Sequence, residues 1–206
     1  MPQDKQLFMD ISQHLMTDEK PSIYLEMISE TKEFKDSVFD IMNKQKVTMQ
    51  PKKYHPEGNV WIHTNMVVDE ATKYRDRSKN ALAFMWAAFL HDIGKPFVTK
   101  IQKDKITAYN HDRVGAIKAE ELLCEVTDDY ELIQQVVALV RWHMQILYVA
   151  KNPSLRELEK MKKEVDVEEV GLLGFCDRSG RLNVNTEEIK EDIQRFLVAA
   201  GYTGAL

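Results

Sequence analysis

Apolar positions along this chain recur at spacings of three, four and seven residues far more often than they alternate, and that periodicity predicts helices over most of its length. Leu7, Ile11 and Leu15 fall on one face of a first helix. Beyond Pro21, Tyr24 and Ile28 pair at a spacing of four, and Phe34, Val38 and Ile41 continue the pattern. Residues 47–58 contain Pro51 and Pro56 and read as a loop. A helix is expected over 60–74 with Asn59 as its N-cap, and another over 80–92. Gly94 stands where a helix C-terminus accepts a left-handed residue, with Pro96 as the stop behind it. Further helices are expected over 112–125, 129–149, 167–177 and 186–200. Residues 98–110 are the only strand-like stretch, and residues 102–105 supply the turn of a small hairpin there. Residues 152–165 are charged and read as exposed. The expected fold class is all-α, with that hairpin near 98–110 as the one exception the pattern admits.

Composition narrows the class. The 206 residues are 44% hydrophobic and 30% charged, as in an ordinary globular protein with one core, or one core and a small helical extension. No apolar run approaches the roughly 18 to 20 residues that span a bilayer. The first ten residues carry no apolar signal-peptide region, so a cytoplasmic location is expected. Cys124 and Cys176 sit in apolar stretches and read as reduced, buried thiols. A net charge of −5 excludes coating by nucleic acid through bulk electrostatics, while leaving room for a basic rim around a cleft.

The candidate chemistry lies in polar groups placed on apolar stripes. His63 shares a helical face with Met66, Val67 and Tyr74. His91 follows Phe84, Ala87 and Ala88; His143 is in line with Val136, Leu139 and Val140; Asp177 ends a stripe through Val170 and Gly174. Taken singly, each histidine reads as a core residue hydrogen-bonded to backbone. A buried aspartate needs an ion pair or a metal, because a desolvated carboxylate is costly. Convergence on one cation satisfies all of these groups together. His91 and Asp92 are adjacent, and successive helical residues point about 100° apart. At a helix end both still reach a cation seated just beyond it, and the two oxygens of Asp92 suit it to bridge two metals.

The ordered set His63, His91-Asp92, His111, His143, Asp177 resembles the HD superfamily of metal-dependent phosphohydrolases in its longer, two-metal form. More narrowly, Tyr54-His55-Pro56-Glu57-Gly58-Asn59-Val60-Trp61-Ile62-His63-Thr64 is similar to the start of the HD domain in bacterial tRNA nucleotidyltransferases, the CCA-adding enzymes. The strings His91-Asp92-Ile93-Gly94-Lys95-Pro96 and Tyr109-Asn110-His111-Asp112-Arg113-Val114-Gly115-Ala116 are similar too, and the likeness covers residues 49–181. It implies an HD helical bundle over 49–206, with 1–48 as a helical segment packed on it. Nothing before Met49 resembles the catalytic head of those enzymes, so a freestanding HD module without CCA polymerisation is expected.

The resemblance also implies roles. His63, His91, Asp92 and Asp177 hold one metal; Asp92, His111 and His143 hold a second. Mixed imidazole and carboxylate ligands suit Mn, Fe, Co, Ni or Zn. A metal-activated water then attacks phosphorus without a covalent intermediate. The implied substrate is a phosphoester of a nucleotide or RNA end, of the 2′,3′-cyclic phosphodiesterase or phosphatase type. Lys95 reads either as a catalytic phosphate contact or as a cation near a helix end. Arg113 is a second candidate for phosphate, whereas Arg141 and Arg178 diverge from their ligand neighbours. His55 and Glu57 orient a ligand or cap a helix. His14 lies outside the motif and has no assigned role. Two other readings remain open: a non-catalytic nucleotide- or RNA-binding HD module with a structural metal, and a purely structural helical interaction domain.

Overall fold

The computed structural model describes residues 2–103, 105–151 and 156–204. Helix α5 (Ala81–Leu90) lies at the centre because its sequence, ALAFMWAAFL, offers no polar face: Ala83 to Leu90 are all buried. Around it pack α1 (Pro2–Thr17), α4 (Val60–Ala71), α8 (Tyr130–Trp142) and α11 (Val167–Ser179). Helix α7 (His111–Val126) lies along α8, and α12 (Thr186–Ala199) closes the far side against α11 and α9 (Gln145–Lys151). Short helices α2 (Pro21–Ser29) and α3 (Lys32–Lys35), and a 3-10 helix over Val38–Val47, lead into the loop before α4.

Side-chain caps start the helices where the sequence places them. Asn59 accepts from the Ile62 N–H, Asn80 from Ala83, Asp129 from Leu132 and Asn185 from Glu187 and Glu188. One apolar cluster runs through the fold, with Leu7, Ile11, Leu15, Leu25, Phe34 and Phe39 joining Trp86, Phe89 and Val140. Trp86 is its hub, stacked with Phe8 and Phe39, while its indole N–H donates to Ser12 Oγ at 2.9 Å. Among the described residues no helix is long and apolar enough to cross a membrane. The hairpin forms between β1 (Lys100–Gln102) and β2 (Lys105–Thr107), with Ile101 opposite Ile106; Asp104 of its expected turn lies outside the described residues.

Five local expectations are corrected. Gly94 is right-handed (φ −77°, ψ −23°), and Pro96 lies in the first turn of a further helix, α6 (Lys95–Val98), where a missing N–H costs nothing. Glycine is needed at 94 for contact: a Cβ would stand 2.1 Å from the His111 carbonyl oxygen and 2.5 Å from the Gly115 nitrogen. The expected helix over 129–149 breaks at His143, whose Nδ1–H takes the Val140 carbonyl at 2.7 Å. The stretch read as exposed contains α10 (Leu158–Glu164), which buries Leu158 and Met161; residues 152–155 of it lie outside the described residues. Tyr24 and Ile28 are only partly buried, since Leu25 between them takes the core position. Cys176 is buried and reduced as expected, but Cys124 is exposed on α7.

Candidate metal centre

Five helices deliver the six histidine and aspartate positions to one place. His63 comes from the inner face of α4 and is fully buried. His91 caps the C-terminus of α5, and Asp92 follows it. His111 is the first residue of α7, aimed by Asn110 in a left-handed turn (φ 61°) that asparagine tolerates. His143 caps the C-terminus of α8, and Asp177 lies near the end of α11. None of the six is more than 8% exposed.

Asp92 sits between two groups of imidazoles. Its Oδ2 is 3.2 Å from His91 Nε2 and 3.8 Å from His63 Nε2, while its Oδ1 is 3.5 Å from His111 Nε2. His111 Nε2 and His143 Nε2 lie 3.2 Å apart. Asp177 Oδ1 closes the first group, 3.0 Å from His63 Nε2 and 4.0 Å from His91 Nε2. His63, His91 and Asp92 form one set of ligand atoms close enough to share a cation, and Asp92, His111 and His143 form another.

The hydrogen bonds around these rings fix which nitrogen is free. His91 Nδ1–H donates to the Ala88 carbonyl at 2.8 Å, His111 to Ala108 at 2.7 Å and His143 to Val140 at 2.7 Å. Each bond leaves Nε2 as a lone pair directed inward. His111 and His143 then point lone pairs at each other, an arrangement that calls for a positive charge between them. His91 Nε2 is buried with Asp92 Oδ2 at 3.2 Å, and that oxygen has the Lys95 ammonium at 2.6 Å. A neutral apolar core tolerates none of this; a set of Nε2 and carboxylate oxygens fits a divalent cation.

Residues 60–178 match the HD domain family model. The chain belongs to the HD domain family. That places it in a superfamily of metal-dependent phosphohydrolases, and its buried His/Asp clusters are compatible with divalent metal. It is similar to the Multifunctional CCA protein of Actinobacillus pleuropneumoniae serotype 5b, 30% identical over 112 residues, which are 54% of this chain and 26% of that protein. The protein of the same name from Vibrio cholerae is 29% identical over 164 residues, 76% of this chain and 38% of the relative. That from Pseudomonas syringae is 25% identical over 149 residues, 72% and 35% respectively. The chain thus spans well under half the length of these relatives.

The electrostatics of this HD domain follow from crowding charge where water is excluded. Burial raises the Asp92 carboxyl, but Lys95 and His91 outweigh it and hold Asp92 well below the usual carboxylate range. Burial acts likewise on Asp177 and is outweighed by Arg181 and His63. Burial lowers His91, yet the Asp92 and Asp177 carboxylates raise it overall. Negative charge there draws a proton onto an imidazole, and a divalent cation answers the same demand. His111 is pushed down to about 4 and His143 is lowered too, burial being the largest cause for each.

The groups around the centre divide into those it uses and those it does not. Lys95 starts α6 rather than ending a helix; only 9% exposed, its Nζ is 2.6 Å from Asp92 Oδ2 and donates to Gln50 Oε1 at 2.5 Å. His55 Nδ1 and His63 Nδ1 both face Glu57 Oε1, at 2.9 and 3.1 Å. Burial lowers His55 to about 4 despite Glu57. Arg113 lies at the rim, its side chain 56% exposed and its Nη2 2.7 Å from Glu157. Arg141 binds Asp112 and Glu157, and Arg178 binds Asp192 on α12. His14 stands apart, stacked on Tyr24 and paired with Asp18. Sequence reasoning missed Gln50, which carries no pattern, and Arg181, which a spacing of four from Asp177 does signal. A cleft of about 720 Å³ opens on Asp92, Lys95, His111, His143, Asp177 and Arg181, with Tyr54, Tyr109 and Tyr148 also on its walls.

Proposed function

We propose that this HD domain hydrolyses a phosphoester of a nucleotide or RNA end, of the 2′,3′-cyclic phosphodiesterase or phosphatase type. The observation that carries the reading is the sharing of Asp92 by two sets of imidazoles whose Nε2 lone pairs converge without protons to separate them. His63, His91, Asp92 and Asp177 would hold one ion and Asp92, His111 and His143 a second, drawn from Mn, Fe, Co, Ni or Zn. When bound, such ions supply Lewis acidity and make water a nucleophile near neutral pH.

The chain's own residues do the rest. Asp92 bridges the two sets. Lys95, steadied by Gln50, presents its ammonium to a phosphoryl oxygen beside Asp92. Glu57 Oε1 faces His63 Nδ1 at 3.1 Å and, held by His55, keeps that ring in register. Arg113 adds positive charge at the rim. Tyr54 and Tyr109, 54% and 73% exposed, offer aromatic faces to a nucleobase. The likeness to Multifunctional CCA proteins is the reason to include an RNA end among the substrates tried. Residues 1–48 serve as a helical brace on the 49–206 unit, and the reaction suits a cytoplasmic setting.

Elemental analysis of the purified protein, beside Asp92→Ala, tests the metal; bis-p-nitrophenyl phosphate and 2′,3′-cAMP with added Mn or Ni test the reaction. Bound metal in the wild type, its loss in the variant and turnover of one of these esters are expected. Bound metal without turnover would favour a non-catalytic nucleotide- or RNA-binding module.

A further inference from the structure

Just past the end of α11, three residues beyond the family match, Arg181 lies on the cleft wall. Its Nε donates to the Asp177 carbonyl at 3.1 Å and its Nη2 to Asp177 Oδ1 at 2.7 Å. That same Oδ1 is 3.0 Å from His63 Nε2. The guanidinium therefore stands one carboxylate oxygen away from the imidazole cluster. Two of its nitrogens lock it in place, and Nη1 has no acceptor among the described residues.

The other arginines of the cleft are differently placed. Arg178 gives its Nη2 to Asp192 on α12 and leaves Nη1 buried without a partner among the described residues, and Arg113 is neutralised by Glu157 at the rim. Among the described residues Arg181 is ion-paired with Asp177 alone, and the Asp92 and Glu57 carboxylates act on it from farther off. Once Asp177 commits its charge to a divalent ion, Arg181 keeps its hydrogen bonds but loses much of its neutralisation. A partly buried guanidinium in that state is stabilised by an arriving anion. Phosphoryl oxygens match its planar array of N–H groups, and its anchored side chain has little rotamer freedom left to lose.

We infer that Arg181 binds a non-bridging oxygen of the substrate phosphate through Nη1 while Nε and Nη2 hold Asp177, which places the phosphate beside the imidazole cluster. This rests on the phosphohydrolase reading.

The test is calorimetric titration of inorganic phosphate into the full chain, with and without Mn, comparing wild type with Arg181→Gln and measuring bound Mn for both. Phosphate binding about 10- to 100-fold weaker in the variant, the loss expected for a hydrogen bond to a charged group, with Mn content retained, supports the inference. Unchanged phosphate affinity overturns it. A loss of phosphate affinity that merely follows loss of Mn also overturns it, because Arg181 would then only position Asp177. Should the glutamine variant fail to fold by circular dichroism, Arg181→Lys decides: weakening of about threefold or more with Mn retained supports the fork, and wild-type affinity refutes it. Arg181-dependent phosphate binding without turnover of any ester would sink the phosphohydrolase reading alone. Turnover with unaltered phosphate affinity in the variant would sink the arginine's role alone.

Discussion

Gly94→Ala should destabilise the protein by about 3 kcal/mol and open one half of the metal centre. The backbone at 94 is right-handed, so alanine meets no conformational strain of its own. The new Cβ would instead lie 2.1 Å from His111 O, 2.5 Å from Gly115 N and 2.9 Å from Gly115 Cα, all backbone atoms. No rotamer relieves such a clash, so α7 and the Asp92–Lys95 turn must separate by roughly 1 Å, which puts the cost at the upper end of the ~1–3 kcal/mol typical of overpacking. For a chain of this size that is a fall of roughly 6–12 °C in Tm. The displaced helix begins with His111, whose Nε2 is 3.5 Å from Asp92 Oδ1. Loss of metal from the Asp92, His111, His143 set is therefore expected before loss from His63, His91 and Asp177. Urea unfolding of the metal-free proteins and metal stoichiometry would measure the two effects. A variant within about 0.5 kcal/mol of wild type, carrying its full complement of metal, would refute the reasoning, since that is the range of a neutral surface change.

Gly174→Ala should cost far less, about 1 kcal/mol, because its 1.8 Å clash is with Ile146 Cδ1, the far end of a side chain; pairing it with Ile146→Val should restore most of the urea midpoint. Glu57→Gln removes the carboxylate shared by His55 and His63, and a 10- to 100-fold loss of metal affinity with unchanged helical content is expected from Mn titration. Chelation of a protein loaded at about 100 times the metal Kd should remove about 2.7 kcal/mol of stability, read as a fall of roughly 5–11 °C in Tm. A Tm indifferent to EDTA would show that the bound state adds nothing to the fold.

The parts of this structure legible in the sequence are those governed by local chemistry. Asn59 announced its helix because capping is decided within three residues, while Asn80 and Asp129, from which periodicity alone started their helices, prove to be caps as well. His63, His91, His143 and Asp177 stood out because polar groups on apolar stripes need a partner, and the structure brings them together. Gly94 misled because a glycine at a helix end has two uses, a left-handed turn or close approach, and only the packing of α7 distinguishes them. The break at His143 left no trace, since the apolar period runs on through Ile146 with no glycine or proline to mark it. Gln50 reaches Lys95 across 45 residues, a pairing that no local pattern encodes.

The bonds from His91 Nδ1 to Ala88 and from His143 Nδ1 to Val140 have a consequence for how such a site persists. Both imidazoles close the last turn of the helix that carries them, where main-chain carbonyls otherwise lack partners. Folding and the proposed metal capture therefore favour the same two side chains. A lineage without the proposed chemistry would still lose helix stability by discarding either histidine, so the residues would outlast that reaction. The site is accordingly kept by the architecture as well as by its use, and bound metal is a more direct witness to activity than the histidines themselves.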